Sequence, residues 1–205
     1  MQQQTEEIIN FLKDNIEPLD DNAYGVGYRA SAYLTDGTFL PCVIFRNPKT
    51  VVNLAIRRFK EEQSGKGIFN RASGLAYADI VKSFVTKGNC INDYDIERVE
   101  KSSHAFPLTI QQQIHGETTM GWTGFAAKMK DGKYFGFGTS FHWEFFQMPE
   151  GYSVDDIDEV INHSYVLNSG ELKNHEVPFF KHPEDYKDAI IFRARPFFEC
   201  YLENL

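Results

Sequence analysis

YRASAYLTDGTFLPCVIFR, residues 28–46, is the stretch that decides how this chain folds. Apolar and polar side chains alternate on both sides of Asp36-Gly37, and period-two alternation around such a dipeptide predicts an antiparallel β-hairpin. Read as a two-residue type I′ turn, the fold-back sets Leu34 opposite Phe39, Ala30 opposite Val43 and Tyr28 opposite Phe45 on one apolar face. The other face mixes Arg29, Ser31, Tyr33, Thr35 and Thr38 with Leu40, Cys42 and Ile44. One buried and one mixed face is the pattern of an antiparallel sheet covered on one side.

The same dipeptide recurs at Asp131-Gly132, flanked by residues 111–130 and 133–148. A second and longer hairpin is expected there. Its core face would hold Met120, Trp122, Ala126, Phe135, Phe137, Phe141, Trp143 and Phe145. A type I′ turn would place His142 opposite Gly121, Glu144 opposite Thr119, Glu117 opposite Phe146 and His115 opposite Met148. Each His shares a strand face with the Glu two residues on, because i and i+2 project to the same side. His142 and Glu144 are therefore the candidate catalytic pair, with imidazole as general base and carboxylate fixing its tautomer. His115, Glu117, Thr119 and Gly121 are the candidate ligand-binding residues, Gly121 leaving room for a ligand opposite His142. The competing reading is that a solvated face simply needs polar residues. Moreover, one bulge would reverse the face of everything beyond it.

Working outward, Thr5 can cap a first helix with Ile8, Ile9, Leu12 and Ile16 as its buried stripe, ended at Pro18. Asn47-Pro48 opens a second, in which Val52, Ala55, Ile56 and Phe59 recur at helical spacing. Tyr77, Ile80, Val81 and Phe84 predict a third over 74–87, and the Ser153/Asp156 capping box predicts another through Ser164. Residues 189–202 alternate as a strand, and Pro196 makes it an edge strand or one broken at that point. The expected fold class is α+β: a curved antiparallel sheet of two long DG-turn hairpins plus a C-terminal edge strand, with three to five helices packed mainly on one face. Residues 1–205 read as a single domain, a weak duplication of about 1–103 and 104–205 being the lesser alternative.

Composition narrows function by exclusion. A net charge of −8 argues against a sequence-independent grip on nucleic acid, so no nucleic-acid partner is expected. Basic residues gather between Arg46 and Arg71, and acids between Glu150 and Glu159, which allows a homodimer or a protein partner. Cys42, Cys90 and Cys200 lack metal-ligand spacing, so neither a metal nor another cofactor is expected. The acidic, glutamine-rich start is unlike a signal peptide, and no apolar run suits a membrane span, which points to a cytoplasmic protein without a membrane partner. Ser64-Gly-Lys66-Gly lacks the second half of a phosphate loop, and Gly25-Val-Gly27 lacks the third glycine of a dinucleotide fingerprint. With no catalytic motif in sight, the first expectation is a non-catalytic binding or protein-interaction domain. The alternative is a small-molecule enzyme, hydrolase-like or metal-assisted, using the His/Glu face of the second hairpin.

Overall fold

Turn chemistry and alternation produce most of the elements in a computed structural model that describes residues 2–21, 24–63, 87–140, 142–175 and 184–205. In chain order they are α1 (Gln2–Asn15), β1 (Pro18–Leu19), β2 (Gly27–Leu34), β3 (Phe39–Arg46), α2 (Pro48–Gln63), β4 (Cys90–Ile91) and β5 (Ile96–Lys101). There follow α3 (Leu108–Gln111), β6 (Thr123–Met129), β7 (Tyr134–Thr139), β8 (Ile157–Asn162), β9 (Ser164–Val166), β10 (Leu172–Asn174), β11 (Ile191–Arg193) and β12 (Phe198–Tyr201). The fold is mixed α+β and mostly strand, with several sheets and three α-helices among the described residues. Residues 74–86 of the expected third helix, the Ser64-Gly-Lys66-Gly stretch and Phe141 lie outside them. Among the described residues no helix is long and apolar enough to cross a membrane.

Contacts divide the chain into two compact units, Met1–Lys101 with Phe197–Leu205, and Ser102–Pro196. In the first, the strand order is β1-β2-β3-β12-β4, with β5 also paired to β2. α1 buries Ile8, Ile9 and Leu12 against Ala30, Ala32, Val43, Phe45 and Cys200 of the sheet. In the second, the order is β11-β7-β6-β8, and β9 pairs with β10 alone. Its core is aromatic: the rings of Phe106, Phe125, Phe137 and Phe146 pack with centroids 4.7–6.3 Å apart.

Both DG loops differ from the expected type I′ turn. Leu34 N–H donates to Thr38 O and Gly37 N–H to Leu34 O, with Gly37 at φ 86°. Met129, Lys133 and Gly132 repeat the pattern, with Gly132 at φ 88°. A three-residue loop with a left-handed glycine in third place is a type I turn followed by a bulge, and it moves the register by one residue. In the first hairpin Tyr33, not Leu34, therefore faces Phe39. A second irregularity follows, since Ala30 faces Val43 while Ala32 faces Leu40. Pro41 explains it: with no amide donor it cannot hold a ladder position, and its carbonyl instead accepts the Ser31 hydroxyl at 3.0 Å. Leu40 turns into the core at 9% exposure, and Phe39 is left 45% exposed.

Nothing offsets the shift in the second hairpin, so Phe125 faces Phe137 and Ala127 faces Phe135. Its core face carries Phe125, Ala127 and Met129, whereas Met120, expected inside, is 94% exposed. The strands are also much shorter than residues 111–130 and 133–148, for α3 and two connections occupy the outer parts.

Two further expectations change, and a third is narrowed. The Ser153/Asp156 capping box forms, but only a single 3-10 turn follows before β8. Ile157, Val160 and Ile161 are β-branched, and β8 completes its backbone bonds on β6, which overrides the local helix signal. Residues 189–202 break at Pro196, the second of the two readings offered there, into β11, an edge strand parallel to β7, and β12, which lies parallel between β3 and β4 and is not an edge. α2 starts under the Asn47 side chain as expected, its Oδ1 accepting Lys49 N–H at 2.8 Å. Yet it buries Val51 and Leu54 and leaves Val52, Ile56 and Phe59 40–52% exposed. Apolar residues occur all around this helix, so periodicity alone could not select the face.

Candidate functional site

None of the six proposed site residues lies in a strand. His115, Glu117, Thr119 and Gly121 fall in the connection from α3 to β6, and His142 and Glu144 in the one after β7. The side-by-side arrangement along one strand face is replaced by two loops. His142 Nδ1 lies 3.8 Å from Glu144 Oε2, with the His142 side chain 59% exposed. The same carboxylate oxygen accepts Trp143 N–H at 2.8 Å, and Thr139 Oγ1 accepts His142 N–H. Glu117 accepts Gly121 N–H at 3.3 Å, and Thr119 and Trp122 exchange backbone bonds across a tight turn.

His115 instead meets residues from the end of β8. Asn162 Oδ1 accepts His115 N–H at 3.0 Å, and Asn162 Nδ2 donates to Gln113 O at 2.7 Å. One side chain thus pins a loop 47 residues away in sequence. The His115 and His163 rings then stand edge to face, centroids 6.4 Å apart at 89°. His163 has a φ of 53°, a left-handed conformation uncommon outside glycine, though Asn and His are enriched there. Its backbone is tied on both sides, His163 N–H donating to Gly124 O and His163 O accepting His175 N–H.

His115 Nδ1 lies between an acceptor and a donor, 3.0 Å from Gln113 O and 3.2 Å from Asn162 Nδ2. Thr118 Oγ1 accepts Gly124 N–H at 2.9 Å, and its hydroxyl stands 3.1 Å from Gly124 O and 3.3 Å from His163 Nδ1.

Behind this edge lies an aromatic layer on the face of β6 and β7 opposite the core. A Cβ on Gly138 would fall 2.0 Å from Trp122 Cζ2, so the absence of a side chain is what seats the indole. Arg193 stacks over Trp122 at 4.5 Å. Tyr165, His175 and Tyr186 pack mutually with centroids 4.8–5.3 Å apart, and Tyr165 donates to Asp185 at 2.6 Å. Burial pushes the Tyr186 phenol up, against the Trp122 indole and Arg193, which pull it down.

The first unit holds a polar constellation of a different kind, one that sequence inspection did not single out. Glu199 on β12 and Arg46 on β3 are buried, 5% and 3% exposed. Glu199 Oε2 accepts from Lys87 Nζ at 2.5 Å, and Oε1 lies 3.9 Å from Arg46 Nε. Arg46 also donates to Gly25 O at 2.7 Å and pairs with Asp21 at 3.4 Å. Both cations lie over the Tyr24 ring, at 5.6 and 5.0 Å. Burial would push the Lys87 ammonium down, but hydrogen bonds to Glu199 and Tyr201 outweigh it and raise it above its ordinary value. This is a mutually neutralised cluster. Its partners lie 112 residues apart, and no spacing rule connects them.

Among the described residues no group of three or more His, Cys, Asp or Glu side chains is placed to hold a metal ion. No family model matches the chain, and no curated protein or solved structure matches it either.

Proposed function

We propose that this chain is a non-catalytic binding domain whose contact surface is the His115–His163 edge of its second unit. The observation that carries the reading is the strained backbone of His163, held by hydrogen bonds from two sides beside a loop pinned by Asn162. Left-handed non-glycine residues persist only where the surroundings impose them, and they cluster at ligand contacts. Glu117, Thr119 and Gly121 lie on the next turn of the same connection and belong to the proposed surface. The partner is a small ligand or a protein, a second copy of the chain included.

A second reading has its own observation. His142 and Glu144 stand 3.8 Å apart, which suits a general base with its orienting carboxylate in a hydrolase-like or metal-assisted site. The exposure of His142 and the backbone donor on Glu144 favour the binding reading over it.

An NMR screen of small carboxylates, phosphates and heteroaromatic compounds separates the two. Under the binding reading, hits shift the amides of His115, Asn162 and His163, and the compounds are recovered unchanged. Hits that converge on His142 and Glu144 and are converted during the experiment would overturn it.

A further inference from the structure

We propose that Arg193, on β11, is the recognition element of a carboxylate-binding site on the face of the second unit's sheet opposite its core. The site is distinct from the His115–His163 edge and goes beyond the binding reading given to that edge.

Each unit contains the same four strands in the same order. A DG-loop hairpin carries an antiparallel strand beside its first member and a parallel one beside its second: β5-β2-β3-β12 in the first unit, β8-β6-β7-β11 in the second. The details agree as well. Thr35 N–H donates to Asp95 O and Lys130 N–H to Asp156 O, both at 2.9 Å. The register also slips at the same point, between Tyr33 and Leu34 in one unit and between Lys128 and Met129 in the other. Corresponding positions can therefore be matched through the pairing. On the face opposite the core, the row Arg29–Ile44–Glu199 corresponds to Gly124–Gly138–Arg193.

The two rows differ in how charge is met. In the first, Arg29 lies 3.9 Å from Glu17, and Glu199 has Lys87 and Arg46. In the second, both hairpin positions are glycine, and the Trp122 indole takes the space. A Cβ on Gly124 would lie 3.3 Å from Trp122 Nε1, and one on Gly138 would overlap the ring. Glycine inside a strand marks a place where another group must come close. Arg193 rests on that indole at 4.5 Å and is exposed. Among the described residues its guanidinium has neither an ion pair nor a hydrogen-bond acceptor. A cation thus stands where the first unit carries a carboxylate that it neutralises from within.

A guanidinium held on an indole keeps its five N–H donors for other partners. One guanidinium balances one unit of charge, and its planar fork meets both oxygens of a carboxylate. A phosphate group carries about 1.5 to 2 charges at neutral pH, and the excess would be unmatched on a chain of net charge −8. The same net charge repels anions in general, so saturable binding of one reports a local site.

The test is a titration of the whole chain with sodium benzoate at constant ionic strength, followed through the Arg193 Nε–H and Trp122 Nε1–H resonances. Both are expected to shift together and to saturate. Arg193→Gln, at an exposed position, should stay folded and weaken binding about tenfold or more, the worth of a hydrogen bond to a charged group. Arg193→Lys should fall between, since it keeps the charge without the fork. Lys128→Gln removes a cation of the same sheet that already has Asp158 at 3.4 Å, and it should bind as the unaltered chain does. Undiminished binding by Arg193→Gln overturns the proposal, as does an equal loss with Lys128→Gln, which would mean diffuse attraction. Saturable binding of inorganic phosphate with none of benzoate overturns it too, and so does a titration that moves neither resonance. In that last case, ligands that still shift His115, Asn162 and His163 leave the binding reading of the edge intact.

Discussion

The Arg46–Glu199–Lys87 cluster of the first unit and the His115–Asn162–His163 edge of the second gather polar groups from distant segments, and they differ in what surrounds them. In the first, Arg46 and Glu199 are buried, so each must find its opposite nearby, and the carboxylate is taken up by Arg46 and the half-buried Lys87. A cluster closed in this way has its charges committed to one another. At the second, His115 is exposed and water can solvate its ring. There the constraint is conformational, seen in the positive φ of His163 and in the side-chain bonds that order the loop. Buried charge balanced within itself reads as architecture, while an exposed imidazole beside a half-buried, backbone-strained one reads as a surface kept for something else.

The largest effect that could break this contrast concerns Glu199. Glu199→Ala leaves Arg46 and Lys87 without their shared carboxylate, and a loss of roughly 3–5 kcal/mol is expected in urea unfolding. The isosteric Glu199→Gln should lose less, since it can still accept hydrogen bonds. A loss under about 1 kcal/mol, as for an exposed ion pair, would mean that water reaches the cluster and that the two regions are not different in kind.

A smaller effect sharpens the other side. If the His163 backbone is strained, His163→Gly should be more stable than His163→Ala by about 1 kcal/mol, because only glycine takes a left-handed φ without a Cβ clash. Equal melting of the two variants would mean that the His163 backbone carries no such strain. The glycine variant should also lose the ligand response of the edge while keeping its fold.

The smallest expected effect is a pH dependence from His104. Burial, with some help from Arg195, lowers its pKa below the ordinary 6.5, against the opposing hydrogen bond to Phe146 O. The unfolded chain therefore binds the proton more readily, and stability declines as pH falls through about 6.5 towards the folded value. Denaturation midpoints measured between pH 7 and pH 5 should fall, and His104→Gln should flatten part of that slope.

Much of the fold was legible wherever the cause is local. The α1 stripe of Ile8, Ile9 and Leu12 needs only helical spacing, and the Asn47-Pro48 start of α2 needs only capping chemistry. The candidate site was less so. His115 was visible as a titratable residue, but its partner sits in a segment whose capping box predicts helix. The one local hint at 162–163 was the Asn-His pair itself, two residue types that tolerate the left-handed region.

By itself, the sequence determined where the chain turns and which short segments alternate, because Asp-Gly, Pro and period-two patterning act within a few residues. Tertiary structure alone decided the rest. It chose a three-residue loop over a two-residue one, which set Phe125 and Ala127 of β6 opposite Phe137 and Phe135, and a bulge at Pro41 that set Leu40 in the core. It made a strand of 157–162 because the edge of β6 offered backbone partners. It also divided the C-terminal alternation between two sheets and brought Glu199 to Lys87 and His115 to His163. Registers, faces and meetings of this kind are set by whichever surfaces pack together, and one residue of slip is enough to exchange inside for outside.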